Sequence, residues 1–279
     1  MTRLFASAVF FFALLACRDS KPVQAASDGL LPLPDTTVPV GGGGFVLRTV
    51  ADSATSYKPY KYQVFVPKGF DRTRKWPVIV YLAGSGGNGI DGTRQTQGGL
   101  GDFMRAHAES FPAVVVFPQS PRGEGGIGRR IFLRLIEPSL DSAMKEFNGD
   151  PNRVYIVGFS YGASVAFEML PKLRPRIAGL VSVSGPICTG CITNDTTAAK
   201  DSLFAPLLEP IKTLPVWIFQ GGEDKVVPLA STRLVVSMLE RVGSPIRYTE
   251  IPGGPHGITA EAFATPELFT WLLAQRRSP

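Results

Sequence analysis

From residue 45 onward the chain carries eight short apolar or alternating runs: FVLRTV (45–50), YKYQVFV (60–66), PVIVYL (77–82), AVVVF (113–117), VYIVG (154–158), GLVSVSG (179–185), PVWIF (215–219) and IRYTEI (246–251). Runs of this length, rich in Val, Ile and aromatic residues and bounded by Gly, Pro or polar clusters, predict strands. The later ones hold few polar residues, as strands covered on both faces of a parallel sheet do. The first two alternate instead. Lys58, Lys61 and Gln63 interleave with Tyr and Val there, which predicts an antiparallel edge pair with one face in water. Between the later runs lie segments of helical spacing at 100–108, 131–147, 163–173, 230–242 and 266–275. Strand and helix alternate, so the expected class is α/β: a mostly parallel, twisted sheet with helices on both faces and its sites at the carboxyl ends of the strands.

Ahead of this pattern stands a different one. Arg3 is followed by the uncharged run LFASAVFFFALLA, which ends at Cys17 and reads as an export signal. The run is 13 residues long, short of the ~20 that span a bilayer. The junction Leu14, Leu15, Ala16, Cys17 resembles a bacterial lipobox, in which the cysteine is diacylated and becomes the new N-terminus. The expectation is an exported, membrane-anchored lipoprotein at the periplasmic or cell surface, with residues 1–17 as signal. Ordinary cleavage after Ala25, giving a soluble secreted protein, is the competing reading. Residues 18–43 are rich in Pro, Gly, Ser and Asp without an apolar period, as a tether is. The folded domain is expected over 44–279.

Cysteine usage agrees with export. Besides Cys17 there are only Cys188 and Cys191, in CTGC. In an oxidising compartment this pair can close a small disulfide loop, with two free thiols as the alternative. A single C-x-x-C lacking a second pair or histidines makes a poor zinc site, and no metal is expected.

With 44% hydrophobic and 19% charged residues over 279 positions, the chain can bury a core and is neither a disordered nor a collagen-like polymer. Its formal charge is +6. The surplus is dispersed, with no basic stretch longer than a pair such as Arg129 and Arg130, so nucleic acid is not an expected partner.

The chemistry concentrates in Gly158-Phe159-Ser160-Tyr161-Gly162, a G-x-S-x-G that follows the strand VYIV and opens the helical run ASVAFEML. A serine on so tight a strand-to-helix turn is presented clear of the sheet, and glycines two residues to either side avoid collision with neighbouring backbone. The N–H of Tyr161, at the helix start, then points where an oxyanion would develop. A serine hydroxyl needs a general base, and the chain has two histidines. His107 lies in a polar helical stretch upstream and reads as a surface residue. His256, in the loop PGGPHG after the last strand, is the candidate base. A carboxylate between serine and histidine would hold the imidazole tautomer, and the loop GGEDKVVP after PVWIF offers two, Asp224 and Glu223. A second oxyanion donor is expected from the glycine-rich loop after PVIVYL, at the N–H of Ser85 or of Gly84. That loop has neither the G-K-[ST] of a P-loop nor a G-x-G-x-x-G opening a helix, so no nucleotide cofactor is expected.

Taken together, PVIVYLAGSGGNGID, VVVFPQSP, DPNRVYIVGFSYGA, PVWIFQGGEDKVVP, RYTEIPGGPHG and PELFTWLLAQRR resemble the α/β-hydrolase superfamily over roughly residues 57–277. Within it, the chain resembles bacterial secreted esterases grouped with feruloyl and acetyl-xylan esterases, polyhydroxybutyrate-depolymerase-like proteins and phospholipase/carboxylesterase or "predicted peptidase" members. The resemblance implies an α/β-hydrolase fold without a large lid, since 186–214 is too short for a helical cap. It implies a Ser160, Asp224, His256 triad, the acid being the one at the family's offset before Val-Val-Pro, and an oxyanion hole from Ser85 and Tyr161. The implied activity is cofactor-free hydrolysis of carboxylic esters, carbohydrate-linked (feruloyl or acetyl) or polyester-like, through an acyl-enzyme. Rival readings are a serine peptidase of related fold, a non-catalytic polymer-binding lipoprotein, and a dienelactone-hydrolase-type enzyme, which would carry Cys in place of Ser160. Two positions depart from the pattern: Ala83 stands where the family usually has His, and Thr259 where many relatives have Trp. Arg122, Arg129 and Arg130, in the loop 118–130, are read as solvated charges, with an acidic substrate as the alternative. The sequence leaves the oligomeric state open.

Overall fold

The computed structural model describes residues 41–51, 59–123, 126–186 and 209–277. Cys17, Cys188 and Cys191, with the signal, most of the tether and the greater part of 186–214, lie outside the described residues. Eight strands form one sheet: β1 (Gly44–Val50), β2 (Tyr60–Val66), β3 (Trp76–Leu82), β4 (Val114–Pro118), β5 (Gly149–Phe159), β6 (Gly179–Val183), β7 (Val216–Gly221) and β8 (Ile246–Ile251), in the order β1-β2-β4-β3-β5-β6-β7-β8. β1 and β2 pair antiparallel, as do β2 and β4, and every pairing from β4 to β8 is parallel. β3 and β5 lie at the centre.

Helices among the described residues include α1 (Gly99–Ala106), α2 (Ile127–Glu146), α3 (Tyr161–Leu173), α4 (Leu229–Arg241), α5 (Thr259–Phe263) and α6 (Leu268–Ala274). Strand side chains alternate between two cores. Trp76, Val78, Val80 and Leu82 of β3 join Val154 and Ile156 of β5 in a layer closed by α2, α3 and α4. Ile79 and Tyr81, with Tyr155 and Val157, face the opposite layer, closed by α1, α5 and α6. Burial on both faces is why these strands read as continuous apolar runs.

Three details differ from the sequence reading. The antiparallel edge pair exists, but only in β1 does partial exposure run the length of the strand. β2 is covered on both faces, and Gln63 is 2% exposed because its amide donates to Gly92 O. The polar residue there marks a partner in a loop, not a wet face. Arg129 and Arg130 belong to α2, which begins at Ile127, four residues before the apolar period starts. The segment expected as a single helix over 266–275 is preceded by α5, whose five residues are too few to show a helical period, and α6 starts beyond Pro266.

Candidate active site

Ser160 sits between β5 and α3 with φ 51° and ψ −117°, a conformation that an L-residue adopts at a cost of about 1–3 kcal/mol. The close fit around it supplies the compensation. Its N–H donates to Val183 O (2.9 Å) and its carbonyl accepts from Ser164 N (3.1 Å). The flanking glycines are required by contact: a Cβ on Gly158 would lie 2.6 Å from Ala163 Cα, and one on Gly162 would overlap the Leu82 carbonyl at the end of β3.

His256 Nε2 lies 2.8 Å from Ser160 Oγ, and His256 Nδ1 lies 2.8 Å from Asp224 Oδ2. The imidazole is partly exposed and rests on the ring of Phe159, 5.5 Å between centroids. The Asp224 side chain is fully buried. Its Oδ1 accepts from Val226 N (2.7 Å) and Val227 N (2.9 Å), and its Oδ2 accepts from Gln220 Nε2 (2.8 Å) as well as facing the imidazole. Two or more donors on each oxygen satisfy the buried carboxylate as an anion. Glu223 is exposed, with its side chain outside this network. His107 is exposed at the end of α1, its ring stacked on Phe103 (4.0 Å) and its Nδ1 2.9 Å from Phe103 O.

The loops that carry Asp224 and His256 are stitched together. Gly222 N donates to Ile251 O and Glu223 N to Gly254 O, both at 2.9 Å. A side chain at Gly221 would overlap the Gly254 and Pro255 carbonyls, so the loop bearing His256 crosses directly over the end of β7. Behind Asp224, Gln220 is wholly buried, donates also to Val227 O (3.3 Å) and accepts from Thr232 Oγ1 (3.2 Å) on α4. Sequence reasoning passed over Gln220; a polar residue closing the apolar run PVWIF was its only signal.

Across the serine, Gly84 brings backbone close enough that its Cβ would lie 2.8 Å from the Phe159 ring and 3.6 Å from Ser160 Cβ. Ser85 begins the short 3-10 turn Ser85–Gly87, exposed beside the serine loop. Two further residues that the sequence reading missed hold this loop. Asp91 Oδ1 accepts from Thr93 N and Oγ1 (2.7 Å each), Arg94 N (2.9 Å) and Gln119 Nε2 (3.2 Å). Partial burial opposes ionisation, but these donors outweigh it and hold the Asp91 carboxyl down at about 2. Buried Gln119 also accepts from Gly92 N (2.7 Å). The D-G-T of this loop is an Asx-turn signature.

Tyr161, which follows the serine, packs its ring on Phe132 (6.2 Å) under the Arg129 guanidinium (5.3 Å), with its hydroxyl 3.3 Å from Ser120 Oγ. Arg129 is paired with Glu168 and donates to Ser164 Oγ, so it braces α2 against α3 in place of the solvated charge expected. Arg122 is exposed and donates to Asn88 O (3.2 Å), and Arg130 is exposed on α2. Ala83 leads into the Gly84 turn, and Thr259 opens α5. Among the described residues no group of three or more His, Cys, Asp or Glu side chains is arranged to hold a metal ion.

Among curated proteins, acyl-protein thioesterase 1 of Gibberella zeae is 25% identical over 146 residues, 51% of this chain and 55% of that protein. The chain thus spans about half the length of the curated relative it matches. Among solved structures, a thermostable esterase superposes with a TM-score of 0.67 at 26% identity, over 84% of this chain and 63% of that one. A ferulic acid esterase superposes at 0.59 with 15% identity, over 82% of this chain and 98% of that one, a likeness of fold alone. The sheet order and these neighbours make the fold that of the α/β-hydrolases. A model of the phospholipase/carboxylesterase family matches residues 130–270, half of the chain and the half that holds Ser160, Asp224 and His256, and the chain therefore belongs to that family.

Proposed function

We propose that the protein is a serine hydrolase of carboxylic esters working through an acyl-enzyme. The observation that carries this reading is the unbroken hydrogen-bonded series from Ser160 through His256 to a buried, fully satisfied Asp224. His256 Nε2 takes the hydroxyl proton as Ser160 Oγ attacks the ester carbonyl, and Asp224 stays ionised to stabilise the imidazolium. The N–H groups of Tyr161 and of Ser85, or Gly84, would receive the oxyanion. Collapse of the tetrahedral intermediate breaks the ester C–O bond, and His256 returns its proton to the leaving alcohol. Water then attacks the acyl-enzyme by the same route, releasing the acid and restoring Ser160. A thioester would follow the same steps, in line with the name of the Gibberella relative.

The substrates we propose are carbohydrate-linked feruloyl or acetyl esters or polyester-like esters. We also assign Cys17 as the acylated residue of an exported lipoprotein, on the run that ends at Leu14, Leu15, Ala16, Cys17, and Cys188 with Cys191 as a disulfide formed after export. The direct test of the hydrolase reading is labelling by a fluorophosphonate probe together with ester turnover. Wild type is expected to label and turn over, and Ser160→Ala to lose label and about 10⁶-fold in kcat; a variant that retained substantial turnover would remove Ser160 as nucleophile. For the anchor, metabolic labelling with a fatty-acid analogue is expected to mark wild type and not Cys17→Ala, and equal marking of both would sink that assignment.

A further inference from the structure

At the carboxyl edge of the sheet lies a cavity of about 630 Å³ whose walls include Tyr60, Lys61, Ile90, Arg122, Ile127 and Ile131. Three features set it apart from ordinary surface. Ile90 and Ile127 are 72% and 50% exposed, two of the four large apolar side chains left in water among the described residues. Each is costly to leave so and gains by being covered. Lys61 and Arg122 are cations in the same walls without an anionic partner among the described residues. Lys61 Nζ reaches only Asp91 O (3.4 Å) and Arg122 only Asn88 O (3.2 Å), and no carboxylate of a described residue pairs with either. Third, chain neighbours of two wall residues touch Tyr161, the residue that follows Ser160. Ser120, next to the cavity residue Pro121, meets the Tyr161 hydroxyl, and Phe132, next to Ile131, stacks on its ring. Ile90 rides on the loop that begins at Gly84 against Ser160. Because β2 runs antiparallel to β4, its first residues, Tyr60 and Lys61, fall at the carboxyl edge of the sheet, where the serine is.

We infer that this cavity binds the non-reacting end of the ester, and that this end is an apolar chain terminating in a carboxylate, as at the acid end of an aliphatic oligoester. The isoleucines and Tyr60 cover the methylenes, while Lys61 and Arg122 meet the terminal anion, Arg with the planar fork suited to a carboxylate. Of the ester classes proposed above this selects the polyester-like one, because a neutral acetyl or feruloyl group offers Lys61 and Arg122 no anion. The inference rests on the hydrolase reading for what happens at Ser160, and its test is built on binding, which needs no turnover.

Titration calorimetry of the Ser160→Ala protein with monomethyl suberate and with methyl octanoate, equal in acyl carbon count and different in terminal charge, is the experiment. The anionic ester is expected to bind at least tenfold tighter at low salt. That preference should shrink as ionic strength rises and fall about fivefold with each of Lys61→Met and Arg122→Gln. Equal affinity for the two esters, or a preference indifferent to both substitutions, would overturn the assignment. With wild-type protein, 4-nitrophenyl hydrogen suberate and 4-nitrophenyl octanoate then separate the two claims: selective binding without turnover of either would sink the hydrolase reading and leave the cavity assignment standing.

Discussion

Asp224 and Glu223 are neighbours in sequence and opposites in environment. One carboxylate is buried under four hydrogen-bonding partners, and the other is in water. Asp224→Asn is therefore expected to lower kcat by about 10⁴-fold, because an amide favours the wrong imidazole tautomer. Glu223→Gln and His107→Gln should leave turnover within about twofold, as surface changes do. Kinetics on the three variants, with circular dichroism as a check on folding, decide the matter, and a larger loss for Glu223→Gln would exchange the two carboxylates. Gln220 acts one step further back, as a positioning residue for Asp224. Gln220→Leu should lower kcat/KM about tenfold, the scale of one lost hydrogen bond to a buried charge. It should also move the downfield resonance of the His256 Nδ1 proton, which a merely structural role would leave in place. At this scale Ser160 and His256 stood out in the sequence because few residues could fill the roles proposed for them. Gln220, Gln119 and Asp91 were not, because a buried amide or a loop aspartate has meaning only through partners that the chain order hides.

At the scale of elements, strands were legible where burial on both faces made them continuous apolar runs, and their ends were set by contacts that periodicity cannot express. β6 stops at Val183 because Ser184 takes φ 47°. α5 escaped notice through brevity, and α2 starts early because the Arg129 pair with Glu168 lies on its first turn. The serine turn shows how tightly two elements can be coupled. Gly162→Ala would drive a methyl into the Leu82 carbonyl of β3, so the variant is expected to lose activity and to melt lower by several degrees. An unchanged melting temperature would show that β3 and α3 can separate without cost. The loop carrying Ser85 has its own dependence on pH. The folded Asp91 carboxyl ionises at about 2, below the ~3.9 of an unfolded chain. Its contribution is therefore complete above the unfolded value and disappears as pH falls toward 2. Asp91→Asn should accordingly melt below wild type at pH 7, with the gap closing near pH 2. A gap of constant size would assign the loss to packing and not to charge.

For the whole molecule, the three residues that meet at Ser160 hang from strands of unequal security. Ser160 follows β5, which has neighbours on both sides at the centre of the sheet, and Asp224 follows β7, also flanked on both sides. His256 follows β8, which among the described residues pairs only with β7, is half-buried along its length and is braced against α4 by Arg233 to Glu250 (2.7 Å). Local opening of a sheet begins where one side is unpaired. On warming, the protein should therefore fail by detachment before it fails by collapse: the His256 imidazole swings away with a frayed β8 while Ser160 remains on an intact centre. Inactivation should precede loss of the far-ultraviolet signal by several degrees and reverse fully on cooling from that interval. Amide exchange should reach 246–251 well before 154–159. Coincident curves would mean that the edge and the centre stand or fall as one.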